Sequence, residues 1–319
     1  MKKERDIVFL WILLLGVTII GFPFSMADSA EYPTKPITIF CGYAAGGQTD
    51  LIVRLLAKGL EKHFKTAVVV DNRVGGGGVI AGSALAHAKP DGYTLADFGD
   101  SQRVMAHLLA RATYSKDDYI VVGQFVYLSN VMAVKSDAPW PTMQAFIEYA
   151  KKTPGLTYGH SGVGSTLHIK GEYLKKLASI NMEPLPFNGD GATMAALLGG
   201  HIPIGVFGYG TALTQVDAGK ARIIFSFDPP GLKMDPSVPN VQDLFGKDAP
   251  FVAPTAECLV APAKTPAPIV KALEGAVEKV TKDPEFIENA RKMMVGIHFA
   301  DGKTVLKDDE TKADRKSVV

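Results

Sequence analysis

Two glycine- and hydroxyl-rich segments carry the residues best suited to chemistry. The first is Tyr43-Ala44-Ala45-Gly46-Gly47-Gln48-Thr49-Asp50, between a short apolar run and an amphipathic one. Such a loop lies at the carboxyl end of a strand, where open α/β sheets place their ligands. Gly46 and Gly47 remove side chains so that main-chain amides can approach a guest, and Thr49 or Asp50 can cap the helix that follows. The exposed N–H groups and the helix dipole attract an anion. A tight turn closed by an Asp cap accounts for the same residues equally well. The second segment, Tyr158 to His168, repeats the design with Ser161, Gly162, Gly164, Ser165 and Thr166. Its amides and hydroxyls are neutral donors suited to a carboxylate that must be held and released. Plain helix caps are the alternative there.

Other chemistries fit poorly. The run Asp71-Asn72-Arg73-Val74-Gly75-Gly76-Gly77-Gly78 invites a dinucleotide reading, yet no window fits G-x-G-x-x-G and there is no Walker loop. The glycines instead allow a tight passage beside the first loop. Gly159-His160-Ser161-Gly162-Val163 approaches a nucleophile elbow and fails at its last position. His160, His168 and His201 have no orienting acid in evident reach, so they read as pocket walls or helix-face residues and a secreted serine hydrolase is a distant alternative. No H-E-x-x-H pattern or close His/carboxylate cluster suggests a metal, and no cofactor is expected.

The elements that must position these loops alternate apolar runs with amphipathic ones, as in a parallel-sheet α/β protein. Strands are expected at Pro36–Tyr43, Ala67–Val70, Tyr93–Phe98, Tyr119–Val126, Val131–Val134, Leu156–Gly159, Ile202–Phe207, Arg222–Phe227 and Glu257–Ala261. These are too many for one small sheet. Asp50–Phe64 reads as a helix, as do Ile269–Lys282 and the stretch after Asp283-Pro284 to about Met294. Lys307–Lys316 is charged, lacks an apolar face and reads as a mobile end.

With 319 residues and 34 Lys plus Arg against 33 Asp plus Glu, the chain has room for two domains and a formal charge of +1. It lacks the one-signed excess of a nucleic-acid binder. Lys2, Lys3 and Arg5 head an uncharged stretch from Ile7 to Ile20, and Ser25-Met26-Ala27 offers small residues at a cleavage site. That order predicts a secretory signal peptide over residues 1–27; an uncleaved anchor is the alternative. Cys41 and Cys258 are too few for a stapled mini-fold or a cysteine-built metal centre, and they read as buried apolar side chains or a disulfide formed after export.

Taken together, the first loop, Val68–Arg73, the glycine run, Lys89-Pro90-Asp91-Gly92-Tyr93-Thr94-Leu95, Ser161–His168, Leu197-Leu198-Gly199-Gly200 and Ala261–Pro268 resemble the extracytoplasmic solute receptors of tripartite tricarboxylate transporters, the Bug family. The resemblance spans Tyr32 to about Val295. It implies a two-lobed (Venus flytrap) periplasmic-binding-protein fold of type II, each lobe a mostly parallel sheet flanked by helices, with two hinge-crossing segments. Lobe 1 would take residues 31–128 plus 250–319, and lobe 2 residues 129–249. It further implies a monomer in the periplasm, without catalysis, that gives a small organic carboxylate to a large and a small membrane subunit. Family ligands are di- and tricarboxylates, aromatic acids and amino acids. A sensory partner of a two-component kinase would use the same pocket.

Carried over residue by residue, the ligand set is Tyr43, Ala44, Gly46, Gly47, Thr49 and Asp50 on one lobe and Ser161, Gly162, Gly164, Ser165, Thr166 and His168 on the other. Departures cluster at the same place: Gln48 stands where glycine is common, Asn188 where a lysine often follows an aromatic residue, and Gly208 where many members carry aspartate. Gly42 and Ala45 replace usual prolines. These changes imply an altered distal pocket, to which Gln48, Ser101, Asn188 and Gly208 are assigned. Asp97 and Asp100, after the third strand, would favour a cationic or hydroxylated distal group, with solvated surface acids as the alternative.

Overall fold

The computed structural model describes residues 32–108, 112–229, 234–250, 254–305 and 307. The expected leader and the charged tail from 308 onward lie outside them. The chain divides at Thr34 into a leading unit, of which residues 32–34 are described, and a body that starts at Lys35 and carries every element below.

β1 (Ile37–Cys41), α1 (Gln48–Phe64), β2 (Val68–Asn72), α2 (Val79–Ala86) and β3 (Thr94–Phe98) open the body as consecutive β-α-β units. β1 pairs in parallel with β2 and with β3. In α1 the buried Ile52, Val53, Leu56, Ala57 and Leu60 recur at helical spacing and form one face against the sheet. β4 (Tyr119–Leu128) follows, and with only Ser129 between them the chain enters β5 (Asn130–Lys135) in a second sheet.

That sheet is completed by α3 (Met143–Lys152), β6 (Leu156–His160), α4 (Thr166–Ala178), β7 (Met182–Pro186), α5 (Asp190–Leu198), β8 (Ile204–Gly208), α6 (Tyr209–Asp217) and β9 (Ala221–Ser226), with α7 (Val241–Phe245) after it. β10 (Thr255–Pro262) returns to the first sheet, followed by α8 (Ala267–Thr281), α9 (Pro284–Lys292) and β11 (Val295–Asp301). The strand orders are β11-β4-β10-β3-β1-β2 and β7-β6-β8-β5-β9.

Both sheets are mixed. β10 is antiparallel to β3 and β4, β11 to β4, and β5 to β8 and β9. Each sheet has its own apolar core. In the second lobe Met132, Phe146, Tyr158, Leu174, Ile204 and Phe225 are fully buried, each stabilising the fold by about 1.5–3 kcal/mol relative to exposure.

Two strands escape the sequence reading. β7 contains Pro184 and Pro186, which is tolerable because it is an edge strand. β11 is also an edge, and Gly296 and His298 break its apolar alternation. The glycine run passes beside the first loop as expected: a Cβ on Gly42 would stand 2.7 Å from Gly78 Cα. Cys41 and Cys258 are buried on β1 and β10, with β3 between those strands, and are not joined in a disulfide. Among the described residues no helix is long and apolar enough to cross a membrane.

Candidate functional site

The first loop is held from beneath. Asp50 Oδ2 accepts from Gly46 N–H at 2.9 Å and Arg54 Nε at 3.0 Å, and Asp50 Oδ1 accepts from Asn72 Nδ2 at 2.7 Å. Asn72 Nδ2 also donates to the Tyr43 carbonyl at 2.9 Å. Burial alone would raise the Asp50 carboxyl, but hydrogen bonds from Arg54, Asn72 and Gly46 outweigh it and hold the group below the usual carboxylate range. With the loop fixed, Gly47 caps α1 in an extended conformation and presents the first-turn amides, which have no carbonyl partner inside the helix.

The serine loop opens α4 in the same way. Ser165 Oγ accepts from His168 N–H at 3.2 Å, the cap expected of a serine there, and His168 Nδ1 in turn accepts from Gly164 N–H at 3.2 Å. His160, stacked on His168 with ring centroids 4.4 Å apart, meets the Gly162 main chain through Nδ1. Burial, then proximity to His168, lowers the His160 pKa to about 4, so the ring is neutral. Both rings thus meet the loop's main chain through Nδ1.

The loops meet across a narrow cleft. Ser101 Oγ accepts from Thr166 N–H at 2.8 Å, lies 2.9 Å from Thr166 Oγ1, and accepts from the Tyr43 hydroxyl at 3.3 Å. A chain of hydroxyls therefore runs from the first loop to the N-terminus of α4. The glycine run closes beside it, where a Cβ on Gly77 would stand 3.0 Å from the Val163 carbonyl and 3.1 Å from Ser165 N. Gly77 has φ +65°, so its missing side chain serves both the turn and the close approach.

The remaining walls are buried, with apolar Leu128 and Leu167 beside polar side chains. Asn130 Oδ1 accepts from Lys170 Nζ at 2.6 Å and Thr255 Oγ1 at 2.8 Å. Burial lowers the Lys170 pKa to about 8, against Asp228 and Asp100, which favour its charge. Asp190 Oδ2 accepts from Gly208 N–H at 2.8 Å. Burial pushes Asp190 up to about 6, against the Gly208 amide and the Thr211 hydroxyl. Burial and the neighbouring Asp97 also raise Glu257 well above the usual range.

Eight expected residues converge here: Tyr43, Gly47, Gln48, Thr49 and Ser101 from the first lobe, and Ser161, Thr166 and Gly208 from the second. The others lie off the lining. Asp50 is the strut under the first loop, Gly46 is exposed with its N–H committed to Asp50, and Ala44 packs against Gly189 across the lobes. Gly162, Gly164, Ser165 and His168 shape the serine loop, and Asn188 is exposed. Asp97 is buried against Glu257 and Asp100 is paired with Arg103 at 2.8 Å; neither lines the cleft or is a solvated surface acid.

Asn130, Asp190, Thr255 and Glu257 line the cleft without having been expected. Glu257 had a signal, a lone acid inside an apolar strand. Asp190, after a glycine and at a helix start, looks like an ordinary cap.

Two α/β lobes joined by crossing strands, with donors from both meeting in one cleft, define a solute-binding protein of the two-lobed periplasmic-binding-protein class. Residues 52–316 match the tripartite tricarboxylate transporter family receptor, and the chain belongs to that family. A Cupriavidus necator relative, the UPF0065 protein in the gbd 5' region, is 33% identical over 279 residues, covering 84% of this chain and 81% of its own. MatC of Rhodopseudomonas palustris, solved with bound malate, superposes with a TM-score of 0.82 at 23% identity, covering 90% of this chain and 99% of its own. An R. palustris protein solved with adipate gives 0.83 at 23% identity, covering 90% and 97%. These two likenesses are of fold. The family is one of substrate-binding receptors, not enzymes.

Proposed function

We propose that this chain is an exported periplasmic receptor that captures a small organic carboxylate between its lobes and delivers it to the large and small membrane subunits of a tripartite transporter. One lobe comprises residues 31–128 and 250–319 and the other 129–249, so that two segments cross the hinge. The observation that carries the reading is the convergence of the α1 and α4 N-termini, with the hydroxyls of Tyr43, Ser101 and Thr166, on one cleft. Helix N-termini and neutral donors hold an anion without an arginine, and a closed cleft strengthens them by excluding water. The malate and adipate carried by the two R. palustris neighbours agree with a carboxylate of this size.

The test is a thermal-shift screen of the mature protein, refolded to strip bound guest, against mono-, di- and tricarboxylates, aromatic acids and amino acids. An acid at a hundredfold excess over its Kd stabilises the native state by about 2.7 kcal/mol, readily seen as a raised midpoint. At least one class is expected to do so. A flat response across the whole panel would contradict the proposal.

A further inference from the structure

One corner of the cleft is built from acceptors. Gln48 is only 3% exposed, and its Nε2 donates to the Met293 carbonyl at 3.3 Å. That bond fixes the amide so that Oε1 faces Gly208, where it is buried with no hydrogen-bond partner among the described residues. The fit is close: a Cβ on Gly208 would collide with Oε1. From the other lobe, Asp190 Oδ2 reaches the same residue and accepts its N–H at 2.8 Å. Two acceptors from opposite lobes therefore converge at Gly208, and all three residues line the cleft.

Neither acceptor is neutralised. Asp190 is a buried carboxyl that, among the described residues, meets the Gly208 amide and the Thr211 hydroxyl and no cationic side chain. A buried acceptor without a donor and a buried carboxylate without a counter-ion are both costly. A plain carboxylate ligand would leave both costs in place and add repulsion. A hydroxyl brings a single proton, for one acceptor. An ammonium brings three N–H donors and the missing positive charge.

We infer that this corner is an ammonium subsite, and that the ligand is an amino-substituted carboxylate whose ammonium bridges Asp190 and Gln48 Oε1 while its carboxylate rests on the donors of the α1 and α4 loops. The inference depends on the receptor reading above and narrows it to zwitterionic acids. Because Asp190 and Gln48 belong to different lobes, the ammonium also ties the lobes together, which makes these two residues specificity determinants.

The experiment compares matched acids on one carbon skeleton by isothermal titration of the refolded protein: succinate, malate and aspartate, then glutarate, 2-hydroxyglutarate and glutamate, then propionate, lactate and alanine. In at least one set the ammonium member is expected to bind at least tenfold more tightly than the unsubstituted member and more tightly than the hydroxyl member. In Asp190→Asn that ratio is expected to fall at least tenfold. Gln48→Met, which removes the acceptor at similar length and leaves Asp190 untouched, is expected to lower it several-fold and provides the reading if Asp190→Asn does not fold. Unsubstituted or hydroxyl members that bind as tightly as ammonium members in every set, or a ratio unchanged in the folded variants, would overturn the subsite while leaving carboxylate capture intact. Failure of every acid to bind would overturn the receptor reading and the subsite with it.

Discussion

His160 shows how a residue that resembles catalytic machinery serves the site by staying neutral. Its ring is buried, stacked on His168 and engaged with the Gly162 main chain, and its pKa falls from 6.5 to about 4. The unfolded chain takes up a proton near pH 6.5 and the folded one does not until about pH 4. The contribution of this residue is therefore complete above pH 6.5 and is lost as pH falls through that window, at a cost of about 3 kcal/mol. His160→Gln is expected to flatten this acid loss when urea denaturation is followed at steps between pH 7 and 4; an unchanged slope would remove the neutral-ring account. The two loops were legible because glycine and hydroxyl residues stand together between a strand and a helix, although turns and helix caps use the same residues, and Ser165 is such a cap. Asp190 was not legible. Its importance comes from Gly208, a neighbour in space that the chain order does not reveal.

At the scale of elements, β1 was readable because it is buried along almost all of its length and so appears as a largely apolar run, and β6 because a glycine and hydroxyl loop and a helix follow it. β1, β3, β6 and β10 all fall within a few residues of expectation. Of the four edge strands, β2 and β9 were readable and β7 and β11 were not, because Pro184 and Pro186 in β7 and Gly296 and His298 in β11 break the apolar pattern. Directions were also hidden, because a reversed strand and a parallel one share the same apolar pattern. The placement of α4 depends on a small residue. Gly171 faces Tyr158 of β6, and a Cβ there would run into the ring, whose hydroxyl donates to Glu172 at 2.7 Å. Gly171→Ala is expected to destabilise by about 1–3 kcal/mol through overpacking, measured as a lower urea midpoint with an unchanged slope. A midpoint equal to that of the parent would mean that α4 has slack and does not fix the serine loop rigidly.

For the molecule as a whole, two sheets with separate cores are joined where β4 runs into β5 and where the chain comes back to β10. Polar side chains hold the crossings: Ser129 Oγ donates to Asp228, and Asn130 ties Lys170 of α4 to Thr255 of β10. The cleft lies between the lobes with donors from each, so a ligand held there is contacted by both and favours the closed arrangement by its differential affinity for it. Gly47 tests this most directly. Its backbone, at φ −75° and ψ 164°, suits any residue, and its missing side chain faces the cleft, with a Cβ 3.9 Å from Asp190 Cβ. The decisive measurement is isothermal titration of the refolded parent and of Gly47→Phe with the acid that most raises the parent's melting temperature. Capture between the lobes predicts one site per chain in the parent and a loss of at least a hundredfold in affinity when the ring fills the cleft. Equal affinity in both proteins would place the acid elsewhere and contradict the account.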